Sequence, residues 1–251
     1  MFDLHLHLPD QCSSSEYMPK AWYGLVCTSR VGEWQELVAT TQDRANMTGA
    51  VGILPEGLSE RSLDDSLAEL ERVLKSNEAL QIGEVGLDRR FHAMVPMERQ
   101  QEFLSGVLEL GWQMNRSVSL HVVRAEEPLF MTLEKHGGKL PRLLWHGYTA
   151  GVETAGRFIK LGGTLSLGPS LWRPGLRLAG RLNELRDCPF AVETDWPGGW
   201  LPEEWRNLAY PEILRRHMAR LAMAMDITID RLEERTYAIG TFFTHQPTSR
   251  R

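Results

Sequence analysis

Eight short runs of apolar and β-branched residues recur along this chain, and a longer segment separates each run from the next. The runs cover residues 2–7, 23–28, 48–54, 80–85, 117–122, 143–146, 163–167 and 190–193. The intervening segments read as helices, the clearest of them carrying apolar residues at helical spacing. In residues 59–75 these are Leu63, Leu67, Leu70, Val73 and Leu74, with Ser59 and Ser62 available as N-caps. In residues 97–114 they are Phe103, Leu104, Val107, Leu108 and Leu110. Residues 127–136, 152–161, 176–185, 210–225 and 228–243 supply further helix candidates. Parallel strands need a long crossover and a helix supplies it, so this alternation implies a parallel sheet. Eight strands are what a closed barrel requires. The expected fold is therefore α/β, a TIM-type (β/α)8 barrel.

The 251 residues match the roughly 250 of a single barrel domain. No repeat, low-complexity stretch or linker interrupts them, so residues 1–251 are expected to form one domain with a flexible tail from about residue 244. Such a chain buries enough apolar surface to fold without disulfides or a structural metal, so a bound metal is expected to be catalytic. Cys12, Cys27 and Cys188 are odd in number and lack CxxC spacing, which points to reduced thiols. The N-terminus has neither a basic n-region nor an apolar h-region, and no apolar run nears the roughly 18 residues of a membrane span. A cytoplasmic protein is expected. The net charge of −5 argues against a broad basic surface that coats nucleic acid. Two divalent cations bound at one spot would still draw in a phosphate, which leaves phosphoester chemistry open. The methionines of residues 218–225 sit at helical spacing and read as packing residues.

Residue types that bind metals gather at the ends of the expected strands. His5 and His7, two apart at the end of the first, share one face. Glu84 is near the end of the fourth, His121 near the end of the fifth, His146 at the end of the sixth, and Asp195 just beyond the eighth. In a barrel the strand C-termini open on one face, where active sites are built, so these six residues are expected to converge there. Imidazoles combined with carboxylates suit Zn, Mn, Co, Ni or Fe(II) better than Ca. Six ligands exceed the needs of one catalytic ion, which points to two ions bridged by a carboxylate and to hydrolysis.

At these residues the sequence resembles the TatD-related metal-dependent hydrolases. Phe2-Asp3-Leu4-His5-Leu6-His7-Leu8 is similar to the family's opening DxHxHL, and Gly83-Glu84-Val85-Gly86-Leu87-Asp88 to its GE[IV]GLD signature. Gln100 and Phe103, Leu120-His121, His146-Gly147-Tyr148-Thr149-Ala150 (family HxFSG) and Glu193-Thr194-Asp195-Trp196-Pro197 (family ETD[SA]P) follow in family order. The resemblance implies a barrel of the amidohydrolase superfamily with a metal-activated hydroxide. It implies two divalent ions (Zn, Mg or Mn), one on His5, His7, Glu84 and Asp195, the other on Glu84, His121 and His146. Glu84 would be the bridge and Asp195 the general base. The implied substrate is DNA or another phosphodiester, trimmed from its ends; an alternative is another ester or amide, or a barrel acting mainly within a complex.

Three departures from the family pattern bear on the substrate. Leu54 stands where the family's GxHPH has a phosphate-contacting histidine. The arginine of the family's HxR is displaced by one position to Arg124, and neighbouring side chains at a strand end point to opposite sides. Trp196 replaces a small residue, with Gly198-Gly199-Trp200 following. Arg89, Arg90, Arg124 and Arg173 are candidates to restore the phosphate contact, set against the bland reading of solvated surface arginines. Trp172, Trp196 and Trp200 are candidates to stack a base or shield the site. The tryptophan-rich segment 196–205 could form an exposed patch for a protein partner. His92, His136, His217 and His245 have no placement that suggests ligands.

Overall fold

The computed structural model describes residues 1–9, 18–42 and 44–244. Cys12, His245 and the tail expected to be flexible lie outside these residues, apart from Thr244. Eight strands form one sheet: β1 (Phe2–Leu6), β2 (Tyr23–Cys27), β3 (Met47–Val51), β4 (Gln81–Asp88), β5 (Val118–Val123), β6 (Leu143–Trp145), β7 (Thr164–Leu167) and β8 (Phe190–Val192). Each pairs in parallel with the next, in sequence order. β8 returns to β1 through backbone bonds just beyond it: the Asp195 N–H donates to the His5 carbonyl at 2.9 Å and the His7 N–H to the Trp196 carbonyl at 2.7 Å. The expected (β/α)8 barrel is the fold.

The crossover helices are α1 (Trp34–Thr41), α2 (Leu63–Ser76), α3 (Met97–Gln113), α4 (Glu126–Lys135) and α5 (Val152–Lys160), followed after β8 by α6 (Tyr210–Met225) and α7 (Ile229–Thr244). Of the two candidate caps for α2, Ser62 is the one used: its hydroxyl accepts from the Asp65 N–H. One expectation needs correcting. The segment between β7 and β8 is wound as a 3-10 helix, Arg177–Leu185, with Gly180 at its middle lowering the α-helical propensity.

Strand alternation separates two apolar layers. Leu144 and Ala191 belong to a small cluster with Leu25, Cys27 and Ala50, whereas their neighbours Leu143, Trp145, Phe190 and Val192 belong to the larger cluster. Alternate residues thus fill the barrel interior and the space between sheet and helices. Phe243 of α7 packs against the inner cluster. Each fully buried leucine contributes roughly 1.5–3 kcal/mol. Among the described residues no helix is long and apolar enough to cross a membrane.

Candidate metal centre

The six expected ligands meet at the mouth of the barrel, although one sits deeper than its sequence position suggested. β4 runs on to Asp88, so Glu84 lies in mid-strand and is buried. The reason is pairing: Val85 to Asp88 remain in register with Leu120 to Val123 of β5. Gly86 permits this approach, since it has φ +156° and a Cβ there would lie 1.9 Å from the His121 carbonyl oxygen.

From that position the two carboxylate oxygens of Glu84 face different partners. Oε1 is 3.4 Å from His7 Nε2, and Oε2 is 3.1 Å from His121 Nδ1 and 3.0 Å from His146 Nε2. On the first side, Asp195 Oδ1 lies 3.4 Å from His7 Nε2 and 3.9 Å from His5 Nε2, and the two imidazole nitrogens are 3.3 Å apart. On the second, His121 Nδ1 and His146 Nε2 are 3.2 Å apart. His5, His7 and Glu84 offer ligand atoms close enough to hold one ion, as do His5, His146 and Asp195, and as do Glu84, His121 and His146.

Three of the rings have their outward nitrogen beside a polar group. His5 Nδ1 is 3.0 Å from Ser119 Oγ, His121 Nε2 is 3.0 Å from Asp88 Oδ2, and His146 Nδ1 is 3.7 Å from Glu193 Oε1. Glu193 Oε1 also accepts the Gly147 N–H at 2.6 Å. Such partners orient a ligating imidazole and choose its tautomer. Asp88 and Glu193 sit inside the GEVGLD and ETD blocks, so the motifs contained them, but nothing in their spacing assigned them this place. Asp3 was likewise unassigned. Its carboxylate accepts from the backbone N–H groups of His5 and Thr194 and from the hydroxyls of Thr194 and Tyr210, tying β1 to the segment that carries Asp195. Burial pushes the Asp3 carboxyl up to about 7, against the lowering effect of those bonds.

The electrostatics of the cluster match a cation. Burial alone would raise Glu84, but hydrogen-bonded His121 and His146 hold it well below the ordinary carboxylate value. Burial would lower His146, yet Glu193 and Glu84 push it well above the usual imidazole value. His121 is raised against burial by Asp88 and Glu84. His5 is pushed well below by burial and by the neighbouring His146, which favours its neutral form. Without a metal, protons on imidazoles offset the buried carboxylates. A divalent ion can take their place, and the nitrogens that face each other at 3.2–3.3 Å would then share it instead of repelling. The donor set fits the group.

The residues expected around the ligands are placed less uniformly. A cleft of ≈ 340 Å³ is lined by His7, Glu84, His121, His146, Asp195 and Gly198, among others. A second, of ≈ 510 Å³, adjoins it and is lined by Arg90, Arg124, Arg173 and Trp200 as well as His121, His146 and Asp195. The displaced Arg124 reaches the site after all: it lies just past β5 with φ +53°, and this left-handed turn ends the strand alternation. Arg90 is paired with Asp88, and Arg89 donates from Nε to the Arg124 carbonyl at 2.8 Å, so Arg89 supports the loop and lines neither cleft. Trp196 lines neither cleft; its half-buried ring packs on the core, 5.3 Å from the Tyr210 ring. The segment 196–205 is not an exposed patch, because Trp205 is buried and Trp196 and Trp200 are half-buried. The Trp196 ring packs on the core, the Trp205 ring meets His217, and Trp200 carries Arg173 over its face. Trp172 donates from Nε1 to His217 Nδ1 at 3.0 Å, which engages it away from any base. His92 accepts the Met97 N–H and His136 contacts Ser105, so neither joins the ligands.

Comparison with known proteins identifies a family and a shared fold. The family model described as TatD related DNase matches residues 2–241. The uncharacterized metal-dependent hydrolase YjjV of Escherichia coli (strain K12) is 29% identical over 209 residues, 78% of each chain. The crystal structure of YjjV, a TatD homologue from Escherichia coli K12, superposes with a TM-score of 0.83 at 23% identity, covering 98% of both chains. A TatD family hydrolase of Entamoeba histolytica superposes with a TM-score of 0.73 at 13% identity, covering 97% of both. An uncharacterized amidohydrolase of Saccharomyces cerevisiae gives 0.73 at 14% identity, covering 96% of this chain and 99% of its own. These low-identity likenesses show the shared barrel.

Proposed function

Because this chain belongs to the TatD-related DNase family and is a metal-dependent hydrolase, we propose that it hydrolyses phosphodiesters at DNA ends, in the cytoplasm, with two divalent ions. The observation that carries the reading is Glu84, whose two oxygens address separate histidine clusters. In this reading His5, His7, Glu84 and Asp195 hold one ion, and Glu84, His121 and His146 hold the other. Zn, Mg or Mn bound there would supply Lewis acidity to the scissile group and acidify the attacking water.

The chain's own residues do the rest. Asp195 is one-third exposed, lines the cleft and turns there through a left-handed backbone, φ +54°. It is the general base: its carboxylate orients the water and takes its proton. Ser119, Asp88 and Glu193 keep the three rings aimed inward. Arg124, on the wall of the adjoining cleft, contacts the substrate away from the scissile group.

The test uses chelator-stripped protein reloaded with Mg, Mn or Zn, given end-labelled single-stranded and frayed duplex DNA. Loss of terminal nucleotides, abolished by His121→Ala, is expected. Metal-loaded protein inert on every oligonucleotide would overturn the DNase reading. A second reading, hydrolysis of an uncharged ester or amide, is favoured by the apolar Leu54 in place of a phosphate-contacting histidine. Faster turnover of lactones, cyclic amides or aminoacyl esters than of phosphodiesters would establish it instead.

A further inference from the structure

The cleft of ≈ 510 Å³ beside the candidate ligands holds cations that the reaction at the ligands does not itself require. Arg124 comes from the end of β5, and Arg173 from the turn after Pro169–Trp172 that follows β7. Both are exposed. Neither guanidinium makes an ion pair with a carboxylate among the described residues, unlike Arg90 on the same wall, which is held by Asp88. Arg173 lies over the Trp200 ring, 5.6 Å from its centre, which stiffens the side chain without neutralising it. Glu126 and Asp195 also line the cleft but pair with neither arginine, so both guanidiniums remain able to draw an anion there.

We infer that Arg124 and Arg173 form a clamp for a second anionic group of the substrate, a phosphate next to the one being cleaved. This inference rests on the phosphodiesterase reading and deepens it, by naming substrates with two neighbouring phosphates. Trp200, stacked on Arg173, offers its ring as the wall against which the linking nucleoside lies.

Two measurements test the clamp, one of them independent of turnover. In the first, metal-loaded full-length protein is given the dinucleotides TpT, pTpT and TpTp. At least one phosphorylated form should be cleaved tenfold or more faster than TpT in kcat/KM. Arg173→Ala should reduce that preference at least tenfold, mainly through KM, and Arg173→Lys should restore part of it. Equal loss on all three substrates, or none, overturns the clamp. In the second, inorganic pyrophosphate is titrated into chelator-treated full-length protein and followed by tryptophan fluorescence and calorimetry. Arg173→Ala and Arg124→Ala should each weaken binding at least tenfold, with thermal melts checking that the variants fold. Identical binding by wild type and both variants overturns the inference. Pyrophosphate binding that needs both arginines, in a protein that cleaves no phosphoester, would keep the clamp and discard the phosphodiesterase reading.

Discussion

Lowering the pH should destabilise this protein through His217, a histidine that ligates nothing. His217 is fully buried on α6, accepts from Trp172 Nε1 at 3.0 Å and sits 2.8 Å from the Leu167 carbonyl oxygen through Nε2. Both ring nitrogens are committed in the neutral form with the proton on Nε2, so a second proton has no acceptor and displaces the Trp172 bond. Burial pushes the group from 6.5 down to about 4, with Arg220 adding to the effect against the Leu167 bond. The folded value lies below the unfolded one, so between these pH values the unfolded chain binds the proton and the folded chain does not. The stability is therefore complete above pH 6.5 and is lost as the pH falls toward 4. The full loss is about 3 kcal/mol, of which about 2 kcal/mol is gone by pH 5. The assay is urea unfolding at several pH values with chelator present, so that metal release does not contribute. His217→Gln keeps a donor to Leu167 but cannot titrate, and it should be less stable than wild type near pH 7.5. That difference should shrink by about 2 kcal/mol at pH 5, roughly 0.7–1 M in urea midpoint for a slope at the upper end of the usual range. A difference that stays constant with pH would refute the reasoning.

Other perturbations have equally definite outcomes. Glu193→Gln leaves the Gly147 bond possible but removes the charge beside His146 Nδ1; metal affinity by chelator competition should fall about 10–100-fold with little change in fold. Glu84→Gln should leave less than half the wild-type metal by elemental analysis, since one side chain serves both clusters. Gly86→Ala drives a Cβ against the His121 carbonyl and should cost upwards of about 3 kcal/mol, seen as a lowered melting temperature or insoluble protein.

How much of this was legible in the sequence differs by residue. The barrel was, because strand and helix periods are local properties of each segment. His5 and His7 were, because a two-residue spacing fixes a shared face, and the GEVGLD and ETD blocks carried Glu84 and Asp195 with them. The depth of Glu84 was not, since it depends on β4 staying paired with β5 as far as Asp88. The placement of Trp196 was not legible for a related reason. A ring's exposure depends on what packs against it, and Tyr210 and the core that meet Trp196 come from other parts of the chain.

The sequence by itself thus determined the architecture and which side chains gather as candidate ligands, through patterns that span a few residues at a time. Tertiary structure alone decided how those side chains divide between the two oxygens of Glu84. It also decided that Ser119, Asp88 and Glu193 stand behind the rings, and that the displaced Arg124, at a left-handed turn, lines the same cleft as Arg173. The physical reason is distance along the chain. The partners of His5 and His146 lie 114 and 47 residues away, and only the closure of the barrel brings such groups within the few ångströms over which hydrogen bonds and metal coordination act.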